Sequence, residues 1–363
     1  VTRLLEALGD RNPVYTDAAA AAASVHGHLV APVTSLQSWT VSAKPRGRFG
    51  TDGHGQAVFR LEAAPAGSAS TQSEEEAAAA KAREWGTAID MREFLKSEGY
   101  IAPAVTNGWF EYKRYLRHGE RITIGAPLVE EIAGPKRTGL GEGFFITHSQ
   151  SVYDEAGDVV AIIRQRMLRA KPIEKTAEER AAAEKPTADA VAAGAQHADA
   201  DDAVSTGDWA FRAETWGPSP AEVAVGDTIP PLVVDLTPTQ IAAGAIASQD
   251  WAPVHHDDGY ARAMGHPGIF MNIQISTGFV GRLITDWAGP DAIIEALDLR
   301  LGVPSYVGDV MTLTGEVQTI EKDGDRDRIV ITVVAQNRLG AHIRSTVTVT
   351  VPAVQPTHSE IKE

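Results

Sequence analysis

The chain has 363 residues, a formal net charge of −15, 43% apolar residues and no cysteine. Lack of cysteine excludes disulfides, thiolate nucleophiles and cysteine-ligated zinc. A strongly acidic chain with no basic stripe repels phosphate backbones, which argues against nucleic-acid binding, and no stretch approaches the roughly 18 apolar residues of a membrane span.

Taken in order, the opening VTRLLEALGDRNP reads as a helix running into a turn. It lacks the basic and apolar regions of a secretory signal, so a cytoplasmic location is expected, and a short leading segment is expected before Val1. Residues 66–84 are Ala/Ser/Glu-rich and lead into an expected helical insertion spanning about 66–105. Strand-like runs follow at 109–116, 120–133, 143–153 and 158–169. Residues 171–206 combine Ala, Glu, Asp and Lys with few large apolar residues, a composition that cannot offset its ordering entropy, and read as a linker. Beyond it, IFMNIQISTGFVGRLITDW (269–287) places Phe270, Ile273, Phe279, Leu283 and Ile284 at helical spacing with no charge before Arg282, so this helix is expected to be buried. Three β-branched runs, 309–320, 328–337 and 342–351, then form hairpins through EKDGDRD and NRLGAH. A long buried helix followed by an antiparallel meander predicts an α+β domain with its sheet wrapped around that helix. The expected organisation is an N-terminal domain at 1–170, the linker, a C-terminal domain at 207–353 and a tail at 354–363.

The halves share one short segment. GDRNPVYTD (9–17) matches QDWAPVHHD (249–257) without a gap: Asp10 falls on Asp250, Pro13 on Pro253, Tyr15 on His255 and Asp17 on Asp257, and the same spacing sets Pro32 on Asn272. A constant offset through two halves of similar layout argues for duplication.

At these residues the sequence resembles the MaoC-like, (R)-specific enoyl-CoA hydratase family, whose signature is an Asp, then Asn-Pro, then His and Asp, followed by a buried helix. TDWAGP (285–290), LRLGVPSY (299–306) and KRTGLGEGFF (136–145) bring it close to the members that hydrate steroid side-chain thioesters, with two MaoC-like subunits on one chain. The resemblance implies a double hot-dog fold, in which two hot-dog domains pair so that their sheets join. It also implies an acyl-CoA substrate, no separate cofactor, and an oxyanion-binding backbone N–H at Asn272, where most relatives carry Gly. A further departure is Ala252, where the family prefers Asn. A homodimer is expected, because hot-dog sheets leave edges and faces that favour association. An aldolase is a possible pathway partner, although no partner-binding segment is recognisable after Pro352.

Adding water to an α,β-unsaturated thioester needs a held water, proton transfer, and stabilisation of the enolate oxygen. Asp250 and His255 can supply the first two, because Pro253 prevents a continuous helix and lets the loop turn both side chains toward one water. The free N–H groups at the start of the buried helix can supply the third. The N-terminal copy has Tyr15 for His and Pro32, which lacks an N–H, for the amide donor. Asp10, Tyr15 and Pro32 are therefore expected to form a degenerate second site that encloses the acyl tail. Lys136, Arg137, Arg282 and Arg338 are candidates for coenzyme A phosphates. His255, His256, Asp257, Asp258 and His266 are not read as a metal site, since adjacent histidines point apart and no further ligand shell is evident. GLGEG (139–143) lies between strands and reads as a turn rather than a phosphate loop. Two rival readings are a straight-chain hydratase or hydroxyacyl-thioester dehydratase of lipid metabolism, and a non-catalytic acyl-CoA scaffold for an aldolase or thiolase.

Overall fold

A computed structural model describes residues 2–40, 94–171 and 223–353. The expected linker, the tail and most of the 66–105 insertion fall outside these residues. The N-terminal half opens with helices α1 (Thr2–Leu8), α2 (Ala18–Ala23) and α3 (Leu36–Thr40). Strands β1 (Ala102–Tyr112), β2 (Thr123–Ile124), β3 (Leu128–Thr138), β4 (Gly141–Tyr153) and β5 (Val159–Ala170) follow. The C-terminal half runs β6 (Thr228–Asp235), α4 (Pro238–Ala247), α5 (Asp258–Ala263) and α6 (Ile273–Ala288). It closes with β7 (Ile293–Leu301), β8 (Val310–Asp323), β9 (Arg326–Asn337) and β10 (Gly340–Pro352).

All ten strands form one antiparallel sheet, ordered β2-β4-β5-β1-β7-β10-β9-β8-β6, with β3 also pairing β4. The halves meet where β1 pairs β7, from Asn107↔Arg300 to Glu111↔Ala296. The C-terminal part of the sheet packs on α6, whose Phe279, Val280 and Ile284 are fully buried among Leu297, Leu313, Ile331, Val333, Val347 and Val349. This is the α+β double hot-dog. Its β9 and β10 alternate buried and less buried positions, as half-covered strands must.

Three boundaries differ from the sequence expectation. The second N-terminal run is broken by Gly125-Ala126-Pro127 into β2 and β3, because proline cannot donate to a ladder. β1 starts at Ala102, inside the stretch read as insertion. β6 carries Pro230 and Pro231, which hid it as a strand. It survives because it lies at the sheet edge and its register shifts between Ile229 and Leu232.

The central helix also touches the other half. A Cβ on Gly278 would lie 2.7 Å from the Leu8 side chain, and one on Gly281 would lie 2.6 Å from Thr34 Cγ2. These two glycines let the N-terminal half approach α6 directly. Arg282 of α6 donates to the Leu8 carbonyl at 2.6 Å, and Gln240 of α4 donates to the Ala7 carbonyl.

Candidate active site

α4 ends in a left-handed turn. Gln249 has φ 59°, its N–H donates to the Ile246 carbonyl, and the Asp250 N–H donates to the Ala245 carbonyl at 2.9 Å. This double bond pattern terminates helices at a left-handed residue, normally glycine. Asp250 then accepts the Ala252 N–H at Oδ1 (3.2 Å), and a single 3-10 turn spans Pro253–His255. Asp257 caps α5 by accepting the Tyr260 N–H.

The short turn swings His255 inward until its ring is almost covered. Nδ1 lies 2.8 Å from the Phe270 carbonyl, an oxygen that can only accept, so Nδ1 carries the proton and Nε2 presents a lone pair. Nε2 lies 3.7 Å from Asp250 Oδ2. That separation is too long for a direct hydrogen bond and short enough for one water to touch both. Burial lowers the His255 pKa from its ordinary value, against the pull of the Asp250 charge, and favours the neutral ring.

Chain 269–271 is extended rather than helical: Phe270 bridges Tyr306, and the Met271 N–H donates to the Ser305 carbonyl. α6 therefore begins after Asn272, whose Oδ1 accepts the Ile275 N–H at 3.1 Å. The N–H groups of Asn272, Ile273 and Gln274 stand outside the helical ladder at the positive end of a 16-residue helix. An aromatic wall completes the surroundings. His255 meets Phe270 edge-on, Phe270 meets Tyr306, and His266 Nδ1 lies 3.2 Å from the Tyr306 hydroxyl.

The segment offset by 240 residues has the same backbone. A 3-10 turn spans Pro13–Tyr15, Asp17 caps α2, and Asp10 accepts the Asn12 N–H. Its chemistry differs. Tyr15 is buried and hydrogen-bonded to Thr285 of α6, and Pro32 stands where Asn272 stands, without a capping side chain. Asp10 is buried and pushed up to about 6, chiefly by burial and further by the Asp286 charge, against the Asn12 N–H bond and Arg282.

The structure separates the basic candidates. Arg282 is buried, bound to the Leu8 carbonyl and to Asp286, and serves the contact between halves, so its placement as a coenzyme A contact is corrected. Lys136 and Arg137 are exposed on β3, opposite Gly143 and Glu142 at the far edge of the N-terminal sheet. Arg338 is partly exposed and pairs with Asp309, which accepts the Tyr306 N–H beside the aromatic wall. Among the described residues no cluster of His, Cys, Asp or Glu is arranged to hold a metal, and no helix is long and apolar enough to cross a membrane. Sequence reading missed Ser248, Gln249, Ser276 and His342, all of which lie against the start of α6 or the Asp250 turn; a polar residue inside an apolar periodic run was the available signal for Ser276.

In this joined double hot-dog sheet an aspartate, a histidine and an open helix start lie close together. The chain belongs to the enoyl-CoA hydratase family. It is 46% identical over 123 residues to the 3-oxo-4,17-pregnadiene-20-carboxyl-CoA hydratase beta subunit of Mycobacterium tuberculosis, a match covering 34% of this chain and 92% of that subunit. It is 33% identical over 173 residues to the alpha subunit from the same organism, covering 47% of this chain and 44% of that one. The chain thus matches both subunits, although it spans less than half of the alpha subunit. A solved MaoC-like dehydratase shares the fold with TM-score 0.61 at 19% identity, over 98% of this chain and 93% of that one. A scan against family models finds no match.

Proposed function

We propose that the chain hydrates the α,β double bond of a steroid side-chain enoyl-CoA thioester, with Asp250 and His255 as the catalytic pair and the Asn272 N–H at the enolate oxygen. The observation that carries this reading is the 3.7 Å gap between Asp250 Oδ2 and His255 Nε2 beside the start of α6. One water in that gap offers a hydrogen to each group while its oxygen attacks the β-carbon. The electrons of the double bond move onto the thioester oxygen, where the backbone N–H and the helix dipole favour negative charge. The proton removed from water passes through the Asp250–His255 pair to the α-carbon. Hydroxyl ends on one carbon and hydrogen on the other, and both side chains return to their starting states.

The substrate class is carried by the similarity to both subunits of a hydratase named for a steroid thioester. The matching of both also supports two MaoC-like subunits fused on one chain, with the N-terminal copy enclosing the acyl tail. Arg338, in the turn between β9 and β10, is the favoured contact for a coenzyme A phosphate, since its partner Asp309 lies on the loop that carries Tyr306 of the aromatic wall. Lys136 and Arg137 are retained as weaker candidates, and a homodimer in the cytoplasm is proposed as the assembly.

The test is loss of enoyl absorbance with 3-oxo-4,17-pregnadiene-20-carboxyl-CoA and, in parallel, crotonyl-CoA. Asp250→Asn and His255→Gln should each lower kcat by roughly 10²–10⁴, while Asp10→Asn leaves it unchanged. The rate should fall on the acid side, below the ordinary histidine pKa of 6.5, because protonation removes the Nε2 lone pair and burial has lowered that pKa. Wild-type rates in both variants would refute the catalytic pair, and preference for crotonyl-CoA would refute the steroid substrate.

A further inference from the structure

Asn272 does more than expose an N–H. Its Oδ1 caps α6, and its Nδ2 donates to Ser248 Oγ at 2.7 Å. Ser248 is fully buried, sends its hydroxyl toward the Gly244 carbonyl at 2.8 Å, and stands two residues before Asp250. Between them lies Gln249, the one non-glycine residue with a positive φ among the described residues. A side-chain-bearing residue in the left-handed region is strained and persists only where its neighbours hold it.

A second clamp reaches the same turn from the sheet. β10 shifts register between Ala341 and Ile343, and this bulge turns both His342 and Ile343 inward. His342 Nδ1 lies 2.7 Å from the Val303 carbonyl and must be the donor there. Ser276 donates its hydroxyl to the Asn272 carbonyl at 2.9 Å, within the first turn of α6, and the same Oγ lies 2.9 Å from His342 Nε2, so the two acceptors share its one hydrogen. The Asn272 turn is thus fixed on one side to the sheet and on the other to the end of α4.

We propose that Asn272 is a positioning residue for Asp250: through Ser248 its side chain holds the strained Gln249 turn, so that the carboxylate and the enolate-binding N–H keep one fixed spacing. The N-terminal copy supplies the contrast. Gly9, with φ 61°, needs no support in the left-handed region, and Pro32 at the Asn272 position offers no side-chain donor. The tie is present only in the half that holds an Asp–His pair.

This inference rests on the hydratase reading, and one assay separates the two. Asn272→Ser keeps a capping oxygen and the backbone N–H but is too short to reach Ser248; Ser248→Ala removes the acceptor and leaves α6 intact. Each should lower kcat on the steroid thioester by roughly ten- to hundred-fold with KM unchanged, as expected when a reacting group is displaced and binding is not. The double variant should lose no more than either single one, because both remove the same tie. Unchanged kcat in Asn272→Ser, multiplying losses in the double variant, or a raised KM with normal kcat would overturn the proposal. Asp250→Asn runs alongside: full activity there overturns the hydratase reading itself, whereas inactive Asp250→Asn beside fully active Asn272→Ser overturns only the positioning role. Thermal melting of each variant reports folding independently of turnover.

Discussion

Residues 9–17 and 249–257 follow the same path, and the comparison separates what a backbone needs from what a reaction needs. Both begin at a left-handed helix end, pass an aspartate that accepts an N–H two residues on, enter a proline-led 3-10 turn and finish on a capping aspartate. In the first copy the left-handed residue is glycine, the residue facing the aspartate is a buried tyrosine bound to α6, and the position of the helix-start amide is proline. In the second it is glutamine, histidine and asparagine. Features required by the turn are common to both copies; the histidine and helix-start N–H proposed for proton transfer and the enolate oxygen are found in one. The first copy meets the second through the carbonyls of Ala7 and Leu8.

That contact gives the largest expected effect. Gly281→Val would drive a branched side chain into Thr34, where a single Cβ already lies 2.6 Å from Cγ2. Destabilisation of about 2–3 kcal/mol is expected from overpacking, read as a fall in the urea midpoint. An unchanged midpoint would mean that the halves are not packed as one unit.

The buried carboxylate of the first copy comes next. The folded pKa of Asp10 is raised to about 6 from 3.8, so the protonated form is the one the fold favours. Stability from this group is full below the unfolded value and is lost as pH rises through about 6. Asp10→Asn should therefore stabilise the protein at pH 7 by about 2 kcal/mol, and the gain should vanish near pH 4. Denaturant titrations at the two pH values check this, and a gain independent of pH would exclude charge burial as its cause.

The smallest effect tests the left-handed residues themselves. Gln249→Gly should stabilise by about 1 kcal/mol and Gly9→Gln should destabilise by a similar amount. Equal and opposite melting shifts would establish that the two turns are energetically alike and that only the second copy carries the strain. If Gln249→Gly also lowers kcat, the side chain of Gln249 has a role beyond its φ.

The sequence by itself determined the fold class, because the apolar period at 269–287 and the β-branched runs at 328–337 and 342–351 admit little besides a helix under a meander. The offset of 240 residues marks the candidate site, since a gapless match of Asp, Pro and Asp is a local pattern. β6 was hidden by its two prolines and accepted only because it lies at a sheet edge. Arg282, a candidate coenzyme A contact by sequence, is buried, and nothing in its neighbours along the chain reports the carbonyl of Leu8, 274 residues away. The same holds for His342, which a β-bulge turns toward Ser276. Tertiary structure decided these roles, because hydrogen-bond partners and burial depend on which distant segments the fold brings together, whereas periodicity, helix caps and turn chemistry are properties of neighbours in the chain.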